Sequence, residues 1–283
     1  MSVKTHHIKI NDCITLGNDL PFTLIAGPCQ LENRNHTIFM IKELTEITNE
    51  LNIPFILKTS FDKANRSSGN SERGIGLEKA LDIFREIKES FSCPVLTDVH
   101  SEAQCEPVAA VVDILQIPAF LCRQTDLVKA VASTGKTVNV KKGQFLSPWD
   151  VKNIVEKIES TGNHKIMLTE RGVSFGYNTL VVDPRSIPIM AKTGYPTVID
   201  ATHAVQQPGG LGNATGGDRE MAPIIARTAV ANGVAAVFIE THDNPDNAPS
   251  DGPNMIALDQ MKELLKLLQQ LDKIAKENPV VLS

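Results

Sequence analysis

"FTLIAGPCQLE" (residues 22–32) is an apolar run ended by Gly27, Pro28 and Cys29. Its reading separates two α/β architectures. A doubly wound nucleotide-binding sheet would follow its first strand with G-x-G-x-x-G. "GPCQLE" does not have that pattern. The run is instead the first of eight short β-rich runs. The others are "PFILKTS", "PVLTDVH", "ILQIP", "TVNVKKG", "KIMLTERG", "PTVIDATH" and "AAVFIETH". Most are continuously apolar, as strands covered on both faces are.

Amphipathic helical patterns lie between the runs. Ile38, Ile41, Leu44 or Thr45, Ile47 and Leu51 follow one helical stripe, and Leu77, Ala80, Leu81, Phe84 and Ile87 another. Ser147 is placed as an N-cap with Pro148 at the first helical position. The last helix is expected around residues 256–275, as the longest. Eight strands alternating with helices over roughly 260 residues have the size and order of a (β/α)8 TIM barrel. A single domain over residues 1–283 is expected, led by a short N-terminal β-hairpin (1–20) that closes one end. Segments 204–218 and 241–255, the first rich in glycine, are expected to be active-site loops.

Composition narrows the class. The 283 residues are 42% hydrophobic with a net charge of −5, so a large core can be buried and no nucleic-acid footprint is visible. No apolar run suggests a membrane span, and the N-terminus lacks a signal-peptide core. Five cysteines without a C-x-x-C pair fit a reducing compartment, and a cytoplasmic location is expected.

Barrel active sites are built at the C-terminal ends of strands. Here those ends carry Cys29, Lys58, Asp98, Gln116, Lys141, Arg171, His203 and Glu240. A purely structural barrel has no reason to end nearly every strand in a polar group. Lys58, Lys63, Lys141 and Arg171 form a cationic group suited to a small phosphorylated carboxylate. "KANRSS" adds Asn65, Arg66, Ser67 and Ser68 for a second phosphate. Cys29 alone could be a buried hydrophobe, half of a disulfide, a nucleophile or a ligand. With His203, Glu240 and Asp251 on adjacent strand ends it reads as part of a divalent transition-metal site. His100 and His242 are candidates to support such a site, while Cys13, Cys93 and Cys105 have no expected role.

In sequence order, "AGPC", "KTSFDKANRSS", "LTDVHS", "QIPAFLCRQTDL", "VNVKKGQF", "ERGVSFGYNTLVVD", "DATHAVQ" and "FIETH" resemble the 3-deoxy-D-manno-octulosonate 8-phosphate synthase family. The resemblance implies a (β/α)8 barrel that condenses phosphoenolpyruvate with D-arabinose 5-phosphate for lipopolysaccharide synthesis. It assigns Lys58, Lys63, Gln116, Lys141 and Arg171 to phosphoenolpyruvate. It assigns Asn65, Arg66 and Ser67 to the pentose phosphate, with Arg123 reaching in from a neighbour in a homotetramer. Lys63, Asp98, Lys141, His203 and Asp251 take the catalytic roles.

Cys29 resembles the class that needs a divalent metal (zinc, iron, manganese or cobalt), since the metal-free class has asparagine there and proline at the place of Gly143. "SDGP" (250–253) resembles the metal-free class instead, although Asp251 is common to both. Two other readings are a 3-deoxy-D-arabino-heptulosonate 7-phosphate synthase using erythrose 4-phosphate, and a non-catalytic barrel that senses metal or sugar phosphate. "KANRSS" speaks for the pentose, because the heptulosonate family resembles K-P-R-T-S-P there.

Overall fold

Eight parallel strands close on themselves, each followed by a helix on the outside. The computed structural model describes residues 5–64, 73–209, 216–280 and 282. An antiparallel pair, β1 (Ile8–Lys9) and β2 (Thr15–Leu16), comes first. The barrel then runs through β3 (Thr23–Gly27), β4 (Phe55–Lys58), β5 (Val95–Asp98), β6 (Ile114–Ile117), β7 (Thr137–Lys141) and β8 (Ile166–Glu170). A small hairpin of β9 (Val173–Ser174) and β10 (Leu180–Val181) precedes β11 (Thr197–Asp200). A second, β12 (Gln206–Gln207) with β13 (Gly216–Gly217), precedes β14 (Ala236–His242). β14 pairs with both β11 and β3, which closes the ring. The short β15 (Ile256–Ala257) extends β14 at its C-terminal end.

The barrel strands are buried along their whole length, which explains their unalternating apolar sequences. The helices are α1 (Arg34–Leu51), α2 (Leu77–Phe91), α3 (Glu102–Ala109), α4 (Thr125–Ser133), α5 (Val151–Glu159), α6 (Ser186–Ala191), α7 (Ala222–Val230) and α8 (Met261–Glu277). α2 buries Ala80, Leu81, Ile83, Phe84 and Ile87, close to the expected stripe. Burying Phe84 alone contributes about 1.5–3 kcal/mol.

Three local expectations are corrected. α1 buries Thr37, Met40, Ile41, Leu44 and Thr48, so its inner face is rotated from the expected one. The two threonines can be buried because their hydroxyls donate back to Asn33 O and Leu44 O, each at 2.8 Å. Ser147 does not cap α5. It precedes a 3-10 turn (Pro148–Asp150), and its hydroxyl donates to Asp150 Oδ2 at 2.7 Å. The last helix starts at Met261 and is one residue shorter than α1, because Ile256 and Ala257 pair with β14 instead.

The N-terminal hairpin lies at the start of the strands. Ile8, Ile14 and Leu16 join the core. Asn18 accepts from Thr197 N–H at 2.8 Å and donates to Tyr195 O at 2.9 Å, at the entrance to β11. At the other end, Gly27 closes β3 where the chain comes nearest to β4. A Cβ there would lie 2.2 Å from Lys58 O. Gly27→Ala is expected to cost about 1–3 kcal/mol, as overpacked positions do. The urea midpoint checks this, and an unchanged midpoint would contradict so close an approach.

Candidate active site

The C-terminal rim gathers the sequence-predicted residues from separate strands. Lys58 ends β4, Asp98 ends β5 and Lys141 ends β7. Gln116 lies in β6 and Glu240 in β14, while Cys29, Arg171 and His203 follow β3, β8 and β11. All of these but His203 are buried, and His203 is half-buried.

Glu240 and Lys58 are 1% and 2% exposed, so their charges depend on each other rather than on water. Lys58 Nζ donates to Glu240 Oε1 at 2.7 Å. Burial opposes the Glu240 charge, but His203, Lys58 and Lys63 outweigh it and pull the carboxyl down to about 2. Its other oxygen, Oε2, is buried without a hydrogen-bond partner, 3.5 Å from His203 Nε2. Asp251 Oδ2 lies 3.9 Å from the same nitrogen and accepts from Cys29 Sγ at 3.2 Å. Donor atoms of Cys29, His203, Glu240 and Asp251 all lie within 4.8 Å of one another.

Sulfur, nitrogen and two carboxylate oxygens around one point fit a divalent d-block cation, and the orphaned Glu240 Oε2 supports the fit. Burial and then the Glu240 carboxylate push the Cys29 thiol well above its ordinary value. A cation at this point would reverse that balance and hold the thiolate. The backbone of Asp251 is left-handed (φ 53°), which aspartate tolerates better than most residues. Arg219 steadies this loop by donating to Gly252 O at 2.8 Å and Asp246 Oδ1 at 2.6 Å.

A residue that sequence reasoning missed organises the neighbouring pocket. Asp200 pairs through Oδ2 with Lys141 and faces His203 Nδ1 at 2.7 Å, while its Oδ1 accepts from His203 N–H at 2.9 Å. A carboxylate behind one imidazole nitrogen leaves the other for a ligand. Lys141 Nζ also sits 3.3 Å from the centroid of Phe238, a second residue not singled out. Burial pushes Lys141 down to about 8, against the pull of Asp200.

Asp98 is held by His100, whose Nε2 is 2.8 Å from Oδ2, and by the Ser60 hydroxyl. Burial opposes its charge, yet the His100 hydrogen bond and Lys63 keep it well below the ordinary carboxylate range. Lys63, half-buried, donates to Ser60 Oγ at 2.9 Å. Gln116 Oε1 accepts from Asn139 Nδ2 at 2.9 Å, and Asn139 Oδ1 accepts from the Thr169 hydroxyl at 2.6 Å. This ladder across β6, β7 and β8 commits the carbonyl of Gln116 and leaves its amide hydrogens for a ligand. Glu170 Oε1 accepts the N–H groups of Arg171 and Gly172 at 2.8 and 2.7 Å, which shapes the turn carrying Arg171. Arg171 Nη2 donates to Gln206, and Nη1 is buried without a partner.

Not every expected residue joins the group. Asn65, Arg66, Ser67 and Ser68 lie outside the described residues. Arg123 is exposed after the turn Ala119–Leu121. His242 turns to Glu32 rather than to the Cys29 cluster. The missed groups gave no sequence signal of their own, except that Asp200 stands three residues before His203, at the end of a strand-like run.

A cationic barrel mouth beside a sulfur–imidazole–carboxylate cluster defines a (β/α)8 protein equipped for small phosphorylated anions and a metal ion. The chain belongs to the DAHP synthetase I family, which matches residues 5–277. It is 63% identical over 263 residues to a 2-dehydro-3-deoxyphosphooctonate aldolase of Granulibacter bethesdensis, covering 93% of each chain. Proteins of the same name from Rickettsia bellii and Brucella anthropi are each 59% identical, covering 95% and 98% of this chain and 98% and 99% of theirs.

The Lys141 charge gives a direct test of this electrostatic arrangement. A lysine depressed to about 8 is cationic below that pH and loses its charge as pH rises through it. In 13C-methyl-lysine spectra, one lysine is expected to titrate near 8, to vanish in Lys141→Met, and to move lower in Asp200→Asn. A midpoint near the ordinary lysine value would contradict it.

Proposed function

We propose that this chain condenses phosphoenolpyruvate with D-arabinose 5-phosphate, giving 3-deoxy-D-manno-octulosonate 8-phosphate and inorganic phosphate. The printed name of its relatives and the motifs quoted above support this over the heptulosonate reaction. The observation that carries it is the adjacency of two sites on one barrel rim, one built to bind an anion and one to bind a cation.

Lys58, Lys63, Lys141, Arg171 and Gln116 hold phosphoenolpyruvate. The free Nη1 of Arg171 and the uncommitted amide of Gln116 support this role. Asn65, Arg66 and Ser67 hold the pentose phosphate, and Asp98 orders the sugar and its water. C3 of phosphoenolpyruvate then forms a bond to the aldehyde carbon, whose oxygen takes a proton. Water adds at C2, and the hemiketal phosphate breaks its C–O bond to release phosphate. Fixing both substrates removes much of the entropic barrier of a bimolecular step. The cations stabilise the charge that develops as phosphate leaves.

Cys29, His203, Glu240 and Asp251 would hold a divalent ion, of which zinc, iron, manganese and cobalt all suit the donors. When bound, it supplies positive charge that orients and polarises oxygen. Asp200 fixes the His203 ring behind it.

The working unit is a single domain assembled as a homotetramer, with Arg123 crossing to a neighbour's pocket. Exposed aromatics on the loops after β6, β7 and β8 support that interface: Phe120, Phe145, Trp149, Phe175 and Tyr177. Tyr177 is 95% exposed, and such a ring has little reason to stay in water. Five free cysteines support a reducing, cytoplasmic setting.

Phosphate release from phosphoenolpyruvate checks the substrate. Arabinose 5-phosphate is expected to exceed erythrose 4-phosphate in kcat/KM by at least about tenfold, the ratio that about 1.4 kcal/mol of lost contact gives. Equal values would overturn the reading, and no turnover with either sugar would favour the sensor. The ion has its own test. Exhaustive chelation should abolish turnover without unfolding the chain, and a divalent ion should restore it. Cys29→Ala should lower both metal content and rate. Full activity in metal-free protein would refute the ligand set.

A further inference from the structure

Among the described residues a second group can offer converging metal ligands, and it shares no residue with the first. Donor atoms of Glu32, His36 and His242 lie within 4.8 Å of one another. Glu32 stands three residues beyond Cys29, just before the N-cap of α1, and His36 lies in that helix's first turn. His242 is the last residue of β14, two beyond Glu240.

Each imidazole points one nitrogen at Glu32 and the other at Asp243. His242 Nε2 is 2.7 Å from Glu32 Oε1, and His242 Nδ1 is 3.2 Å from Asp243 Oδ1. His36 Nδ1 is 3.6 Å from Glu32 Oε1, and His36 Nε2 is 2.9 Å from Asp243 Oδ1. His36 Nδ1 is itself buried and has no hydrogen-bond partner. The two rings are 4.6 Å apart between centroids, so two nitrogens can meet one ion. Metal-bound histidines nearly always pass their other N–H to a carboxylate, which fixes the tautomer and strengthens the ligand. Asp243 is placed to serve both rings in that way.

We propose that Glu32, His36 and His242 form a second divalent-cation site, with Asp243 positioning both histidines. Two imidazoles and one carboxylate select a zinc-like d-block ion and leave a fourth position for water. Asn244 N–H donates to His242 Nδ1 at 2.9 Å. That contact favours the proton on Nε2, and an ion displaces it to Nδ1, where Asp243 accepts it. The ion would pin the start of α1 to the end of β14, the strand that closes the barrel. It takes no part in the condensation, so the inference stands independently of the proposed reaction.

The test uses the full chain with Cys29→Ala and His203→Ala, which disables the first cluster. Zinc alone is the probe, followed by competition with a chromophoric chelator and by thermal melting. This double variant should still bind one equivalent of zinc and melt at a higher temperature with it, since binding only the folded state stabilises it. Adding His36→Gln should weaken zinc at least tenfold and remove the rise in melting temperature. Adding Asp243→Asn should weaken zinc about 10–100-fold. Anomalous diffraction from zinc-soaked wild-type crystals gives a second reading that needs no variant. A peak between Glu32 and the two rings supports the site. The absence of that peak, or zinc binding indifferent to His36→Gln, would overturn the proposal and leave a hydrogen-bonded cluster.

Discussion

Burying positive charge away from water is the constraint on which the barrel mouth depends. Taking an ammonium out of water costs several kcal/mol unless an anion meets it in good geometry. Lys58 meets Glu240, and Lys141 meets Asp200. In both cases the partner comes from the next strand but one: β14 faces β4 across β3, and β11 faces β7 across β8. Alternate strands of a barrel contribute to the same interior layer, so the architecture itself supplies these pairs. β3 presents Gly27 in register with Glu240, which puts no side chain in the way.

These acids are also what anionic ligands must contend with. A phosphate or carboxylate entering the mouth meets cations that already have partners. It is therefore favoured only where donors remain uncommitted, as at Arg171 Nη1 and the Gln116 amide. A cation beside Glu240 changes this balance, because it draws on Oε2 while Oε1 stays with Lys58. The two halves of the site are coupled through one carboxylate.

Much of the fold was legible because a buried parallel strand leaves an unmistakable apolar run, and eight of them were present. The placement of Cys29, Lys58, Lys141 and Glu240 on the rim followed from strand ends alone. Pairings were not legible. Asp200 read as the end of the "PTVID" run, since nothing local shows that Lys141 lies two strands away. Phe238 read as core, which it is, and its second use as a platform for Lys141 depends on barrel curvature. His242 was drawn toward Glu240 by sequence proximity, whereas its ring meets α1. Ser147 and the start of α8 were misjudged because a 3-10 turn and a two-residue strand carry no periodicity to read.

The hairpin that covers the strand starts makes the barrel a vessel with one opening. Ile8, Ile14 and Leu16 fill the closed end, and Asn18 ties it to the entrance of β11. Molecules must then arrive and depart past one another through the same passage. A compound lodged deep in the mouth has to enter before one lodged nearer the rim, and cannot leave until the outer one has gone. The order of traffic is thereby imposed by depth, with no moving part required, and the inner occupant is kept from bulk solvent for as long as the outer one stays.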